Sequence, residues 1–142
     1  MQISTKFTVA IHILMAAKYF EDDRTVTSRF LAESIGSNAV IVRNIMLQLQ
    51  SADLIDVKRG PGGIKIKRPL SEITFLDIYR AVETHSDESM FRFHEHPNHE
   101  CPIGRNIYKV LDSKFEKIEQ SFEDSLDAVD LQQIFDDLKD EE

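Results

Sequence analysis

The chain has 142 residues, 42% of them apolar, so it can bury one core with an extension, and it carries no long uncharged apolar run that would cross a membrane. Its single cysteine excludes an internal disulfide; with no secretion-signal pattern at the N-terminus, a reducing cytoplasm is the expected location. The net charge of −8 argues against nucleic-acid binding only until it is split: residues 1–70 hold ten Lys and Arg against six Asp and Glu, and residues 71–142 hold seven against nineteen. A basic first half and an acidic second half suit one module that faces DNA and one that faces away.

Ser4 and Thr5 are placed to cap a first helix through about Tyr19, with Phe7, Ile11, Leu14 and Met15 at helical spacing. The run 21–24 is a polar connector. Thr27 reads as the N-cap of a short helix ending at Ile35, where Gly36 suits the left-handed closing residue. Ser37 or Asn38 then caps a helix to about Ala52. The first of the pair offers Leu31, Ala32 and Ile35 to a core, and the second offers Val42, Ile45, Met46 and Leu49. A three- or four-residue connector containing Gly is helix-turn-helix spacing, although many two-helix corners share it.

Residues 53–58 read as a strand, 60–63 as a tight turn, and 64–67 as a second strand of alternating apolar and basic residues. Lys58, Arg59, Lys65, Lys67 and Arg68 make this hairpin basic, and Gly60 and its neighbours leave room for close backbone approach. A basic hairpin after a helix-turn-helix is a wing; an ordinary hairpin with charged edges is the plainer alternative. Thr74 caps a helix to about Thr84, striped by Phe75, Ile78, Tyr79 and Val82. Residues 85–104 lack periodicity. A long helix from about Gly104 to Leu126 carries Ile107, Leu111, Phe115, Ile118, Phe122 and Leu126 in a near-heptad stripe. A second copy of the helix would cover that stripe in a two-fold dimer; packing on the first helix of the same chain is the alternative. Leu131, Ile134, Phe135 and Leu138 form a last amphipathic helix.

The stretches Leu31–Gly36, Asn38–Met46, Arg59–Gly63, Arg68-Pro69, Ile73–Glu83 and His96–Gly104 resemble the Rrf2 family of winged-helix regulators, which includes the IscR and NsrR types. The resemblance runs from residue 1 to about 138. It implies a mostly α-helical fold with a small β-hairpin: a winged helix-turn-helix over 1–84, a sensor-like loop over 85–104, and a dimerisation helix and C-terminal helix over 105–142. Two departures stand out. Cluster-binding members use three cysteines in the 85–110 region and this chain has only Cys101, so no iron–sulfur cofactor is expected. Asp53 stands where the family has Gly.

The expected function is therefore transcription regulation by a homodimer on palindromic double-stranded DNA, with repression as the default. The interface candidates are Ser4, Thr5 and Lys6 at the first helix, Thr27, Ser37, Asn38, Val40, Ile41, Arg43, Asn44 and Gln48 around the reading helix, and Arg59, Gly60 and Lys65 on the wing. Arg59 at the wing tip is assigned to the minor groove by the resemblance. Cys101 is a candidate redox thiol, since a helix N-terminus and nearby imidazoles favour thiolate; an inert loop cysteine is the plainer reading. His94, His96 and His99 are weak metal candidates, with a spacing that fits no closed zinc motif. Catalysis is not expected, because Cys101 with His99 or His96 is the only nucleophile–base pairing and the residues are too close in sequence. A protein-interaction module without DNA binding is the remaining alternative.

Overall fold

The computed structural model describes residues 3–58, 62–83 and 86–142. Its elements are α1 (Thr5–Tyr19), α2 (Ser28–Ile35), α3 (Ala39–Ser51), β1 (Ile55–Lys58), β2 (Gly63–Ile66), a 3-10 turn (Leu70–Glu72), α4 (Phe75–Val82), α5 (Pro102–Asp127) and α6 (Leu131–Asp140). The fold is thus mostly helical with one antiparallel hairpin. Among the described residues, no helix is long and apolar enough to cross a membrane.

Local chemistry sets the helix boundaries. Phe30 N–H donates to Thr27 Oγ1 at 3.1 Å, and Ile41 N–H donates to Asn38 Oδ1 at 2.9 Å. Each bond satisfies an amide that the helix cannot. Gly36 closes α2 at φ +79°, a left-handed conformation that glycine adopts without a Cβ clash. Thr74 and Asp77 exchange side-chain and backbone bonds in a capping box at the start of α4. Ser4 departs from expectation. It sits at the N-cap of α1, but its side chain makes no cap; its N–H and hydroxyl both donate to Glu83 Oε1, at 3.1 and 2.9 Å.

The hairpin pairs Ile55 with Ile66 and Val57 with Ile64. Both strands lie one or two residues off the expected spans, for identifiable reasons. Asp53 adopts φ +64° and turns the chain after α3, so β1 starts only at Ile55. Asp tolerates this region better than most residues. Its carboxylate is held by Lys67 Nζ, which lowers the Asp53 pKa. This clamp is complete above the ordinary carboxylate range and is lost as pH falls through the depressed value. Gly63 begins β2 because the chain passes too close to Val26 for a side chain. A Cβ there would lie 2.5 Å from the Val26 carbonyl oxygen. Ile64 N–H donates to that same oxygen at 3.0 Å, which stitches the hairpin to the segment before α2. The close approach that glycine permits at Gly63 is therefore to the chain itself.

One core joins the elements. Ile13 and Leu14 of α1, Leu31 of α2, Val42 and Leu49 of α3 and Ile78 of α4 are fully buried in it. Leu131 and Phe135 of α6 join the same core, and Leu131 N–H donates to the Ile73 carbonyl at 2.9 Å. Ile11, by contrast, is only half-buried.

Helix α5 begins at Pro102, two residues before the expected start, with Cys101 at its N-cap. Pro at the first position costs nothing there, because that amide has no helical acceptor. All of α5 is described and none of it is fully buried. Within the protomer α4 is the helix that packs most extensively against it, and Leu126 at its end reaches the core. Tyr79 of α4 meets Phe122 edge to face at 5.6 Å. The loop before α5 covers the middle, with Phe91 stacked on Phe115 at 4.0 Å and Phe93 against Tyr108 at 4.7 Å. Glu119 anchors that loop by accepting from Ser89 Oγ and Met90 N–H, each at 2.7 Å. A neighbouring apolar edge stays open: Ile103, Val110 and Ile118 are exposed, with Ile107 half-buried beside them.

Candidate nucleic-acid interface

Helix α3 packs through Val42, Ile45, Met46 and Leu49, which are all buried. At 100° per residue the opposite side is then Val40, Arg43, Asn44 and Leu47. All four are exposed, Val40 and Leu47 at 57% each. Ile41 is also exposed, at the edge of this face. Gln48 does not belong to it. That residue is half-buried, with Nε2 3.5 Å from the Val82 carbonyl, so it turns toward α4. Leu47 was not a sequence candidate, although its spacing from Val40 and Asn44 carries the signal.

Two other elements flank this face. The N-terminus of α2 lies beside it, with Thr27, Ser28, Arg43, Leu47, Lys58 and Gly63 around a cleft of about 230 Å³. A helix N-terminus carries unsatisfied N–H groups and partial positive charge, and Arg43 and Lys58 add two full charges. The cleft therefore has the chemistry of a phosphate seat. Thr27 caps α2 by accepting with its hydroxyl oxygen, which leaves its O–H free to donate. The hairpin supplies Lys58 and Lys65 as exposed cations. Lys67 is committed to Asp53 and also lies 3.8 Å from Asp56. Arg59 and Gly60 lie outside the described residues.

The other sequence candidates are more scattered. Thr5 and Lys6 are exposed at the start of α1, whereas Ser4 is engaged by Glu83. Asn38 is a cap, and Ser37 is half-buried between α2 and α3. Cys101 is exposed, and the backbone N–H groups of Gly104 and Ile103 lower its pKa. Gly104 permits that geometry, since a Cβ there would lie 2.3 Å from the Asn98 carbonyl oxygen. The three histidines are not gathered. His94 meets the Tyr108 ring at 5.6 Å, His96 stands in solvent beside Glu95, and the His99 carbonyl accepts from Arg105.

Comparison with known proteins decides the identity. The profile of the Rrf2 family, described as an iron-dependent transcriptional regulator, matches residues 3–137. The chain belongs to the Rrf2 family. It is 33% identical to the candidate helix-turn-helix transcriptional regulator YwnA of Bacillus subtilis (strain 168), over 96% of this chain and 98% of that one. A crystal structure of a candidate DNA-binding protein superposes with a TM-score of 0.71 at 30% identity, over 91% of this chain and 97% of its own. T. potens IscR shares the fold, with a TM-score of 0.68 at 24% identity over 100% of this chain and 89% of its own. The family's work is transcription control and makes duplex DNA the expected partner. Iron in the family description does not fit the residues present. The sequence has one cysteine, and among the described residues no three His, Cys, Asp or Glu side chains gather as a metal site.

Proposed function

We propose that two copies of this chain bind a two-fold operator, each placing α3 in a major groove, and that occupancy represses transcription by blocking polymerase. The observation that carries this is the shared face: Val40, Arg43, Asn44 and Leu47 project beside the α2 N-terminus and the cationic hairpin. Asn44 has the donor–acceptor pair that reads adenine, and Val40 and Leu47 suit thymine methyl groups. Arg43 and Lys58 hold phosphate at the cleft. The hairpin runs along the duplex as a wing, with Lys58 and Lys65 as its exposed cations. The open edge of α5, Ile103, Val110 and Ile118, supports the dimer, because a second copy supplies a matching apolar surface along a helix of 26 residues. A gel-shift titration against the DNA upstream of the chain's own gene tests the reading. Binding is expected to weaken steeply as salt rises, because phosphate contacts release counterions. No shift at low salt contradicts it.

Cys101 supplies the signal input in this proposal. It stands at the N-terminus of α5, the proposed dimer helix, where the backbone N–H groups of Gly104 and Ile103 lower its pKa. Hydrogen peroxide transfers one oxygen to the thiolate sulfur and leaves as hydroxide, giving a neutral sulfenic acid that removes the negative charge from the start of α5. The rate of iodoacetamide alkylation against pH should place the Cys101 pKa below that of a free thiol. A value at or above about 8.5 removes the thiol from the sensing role.

A further inference from the structure

Helices α1 and α6 leave between them a groove of about 460 Å³, a volume within the range of small-molecule sites. Its walls are apolar, with Ile11 and Met15 from α1 facing Ile134, Phe135 and Leu138 from α6. Tyr19 and Phe20 add two rings, edge to face at 4.8 Å. Polar groups are few: Thr8 and two separate pairs. His12 Nε2 and Ser34 Oγ lie 2.9 Å apart on one part of the rim. About two turns further along α1, roughly 10 Å away, Tyr19 and Glu142 line the groove together. The Glu142 carboxylate, then burial and the charge of Asp23, hold the Tyr19 phenol above its ordinary pKa. No Lys or Arg is among the described residues lining the groove. Lys139 lies 5.0 Å from the Phe135 ring but does not line it.

Aromatic faces beside a carboxylate with no cationic partner in the groove are complementary to an organic cation, and they disfavour an anion. Ser34 belongs to α2, so the groove also touches the helix pair that carries α3. We propose that this groove binds a small lipophilic cation, its apolar body between α1 and α6 and its ammonium at Tyr19 and Glu142, with occupancy relayed to α2 through His12 and Ser34. The relay rests on the DNA-reading role proposed above; the binding site does not.

Calorimetric titration of the full chain with three probes sharing one apolar body tests the site: 4-phenylbutyl trimethylammonium, 4-phenylbutanol and 4-phenylbutyrate. The ammonium is expected to bind at least about tenfold more tightly than the alcohol, with the carboxylate weakest. Glu142→Gln should bring the ammonium down to the alcohol's affinity. Leu138→Arg, at an exposed position, should remove ammonium binding by placing a guanidinium at the groove. Equal binding of the three probes, binding of none, or an unchanged preference in Glu142→Gln overturns the site. If no probe binds and Leu138→Arg dissociates a dimer in sedimentation, a second copy fills the groove and the proposal falls. For the relay, saturating ammonium should change operator affinity in the gel shift several-fold. Unchanged affinity overturns the relay alone, and absence of any DNA binding is a failure of the earlier reading instead.

Discussion

Replacing Arg43 by alanine is expected to weaken operator binding and to lower the slope of log affinity against log salt by roughly one. The reason is position. Arg43 is exposed on α3 and lines the cleft with Ser28 at the α2 N-terminus and Lys58 on β1. In the proposed complex a guanidinium there neutralises one phosphate, and a phosphate contact carries no sequence information. The loss should therefore be similar on operator and on unrelated DNA. Asn44→Ala should behave in the opposite way. Asn44 lies on the same exposed face but not among the residues of that cleft. Its loss should leave the salt slope unchanged and cost roughly 1–3 kcal/mol on the operator, with discrimination relaxed at one base pair. Gel-shift titrations at several salt concentrations separate the two. Identical salt slopes for wild type and Arg43→Ala would remove Arg43 from the backbone, and a uniform loss with Asn44→Ala would remove it from base reading.

The second large effect concerns α5. Ile118→Glu should convert a dimer to a monomer and lower operator affinity by about a hundredfold or more, since two linked half-sites gain that much from avidity. Ile118 is half-exposed in the single chain, at 51%, so the protomer should still fold with an unchanged melting temperature at low concentration. Glu116→Lys, at an exposed position on the far side of the same helix, serves as the control and should leave both properties intact. Sedimentation equilibrium reads the assembly state directly. A dimer that survives Ile118→Glu would place the interface elsewhere, and the open edge of Ile103 and Val110 would need another partner.

Features set by short-range chemistry were legible before the structure. Thr27, Gly36, Asn38 and Thr74 each act within one helical turn, and each stands where its side chain or its φ was expected to stop or start a helix. The core face of α3 was equally plain, because four apolar residues at helical spacing admit only one orientation toward a core. What the sequence hid was non-local. The Ser4 hydroxyl is drawn to Glu83, 79 residues away, and nothing near Ser4 announces that. Gln48 turns to the α4 carbonyl at Val82, so a polar residue near the reading face is lost to packing.

The α5 stripe gave the sharpest difference. Periodicity located its apolar residues but not their partners. Phe91 and Phe93 lie in a segment without a repeat, and their rings reach Phe115 and Tyr108 through loop geometry alone. Only the rotated edge of Ile103, Val110 and Ile118 is left for another surface. Asp53 shows the converse. The sequence reads it as the first residue of a strand, in a position where the resemblance expects glycine, and the structure instead makes it a left-handed turn residue held by Lys67.

The most direct measurement is a hydroxyl-radical footprint of the full-length chain on the DNA upstream of its own gene. Two α3 helices related by a two-fold axis should protect two half-sites on one face of the duplex, with centres about 34 Å, or a whole multiple of that, apart. A 5-base-pair insertion between the half-sites should then abolish tight binding by rotating one half-site to the opposite face. One continuous protected block, or binding indifferent to that insertion, would contradict a dimer that reads DNA through paired α3 helices.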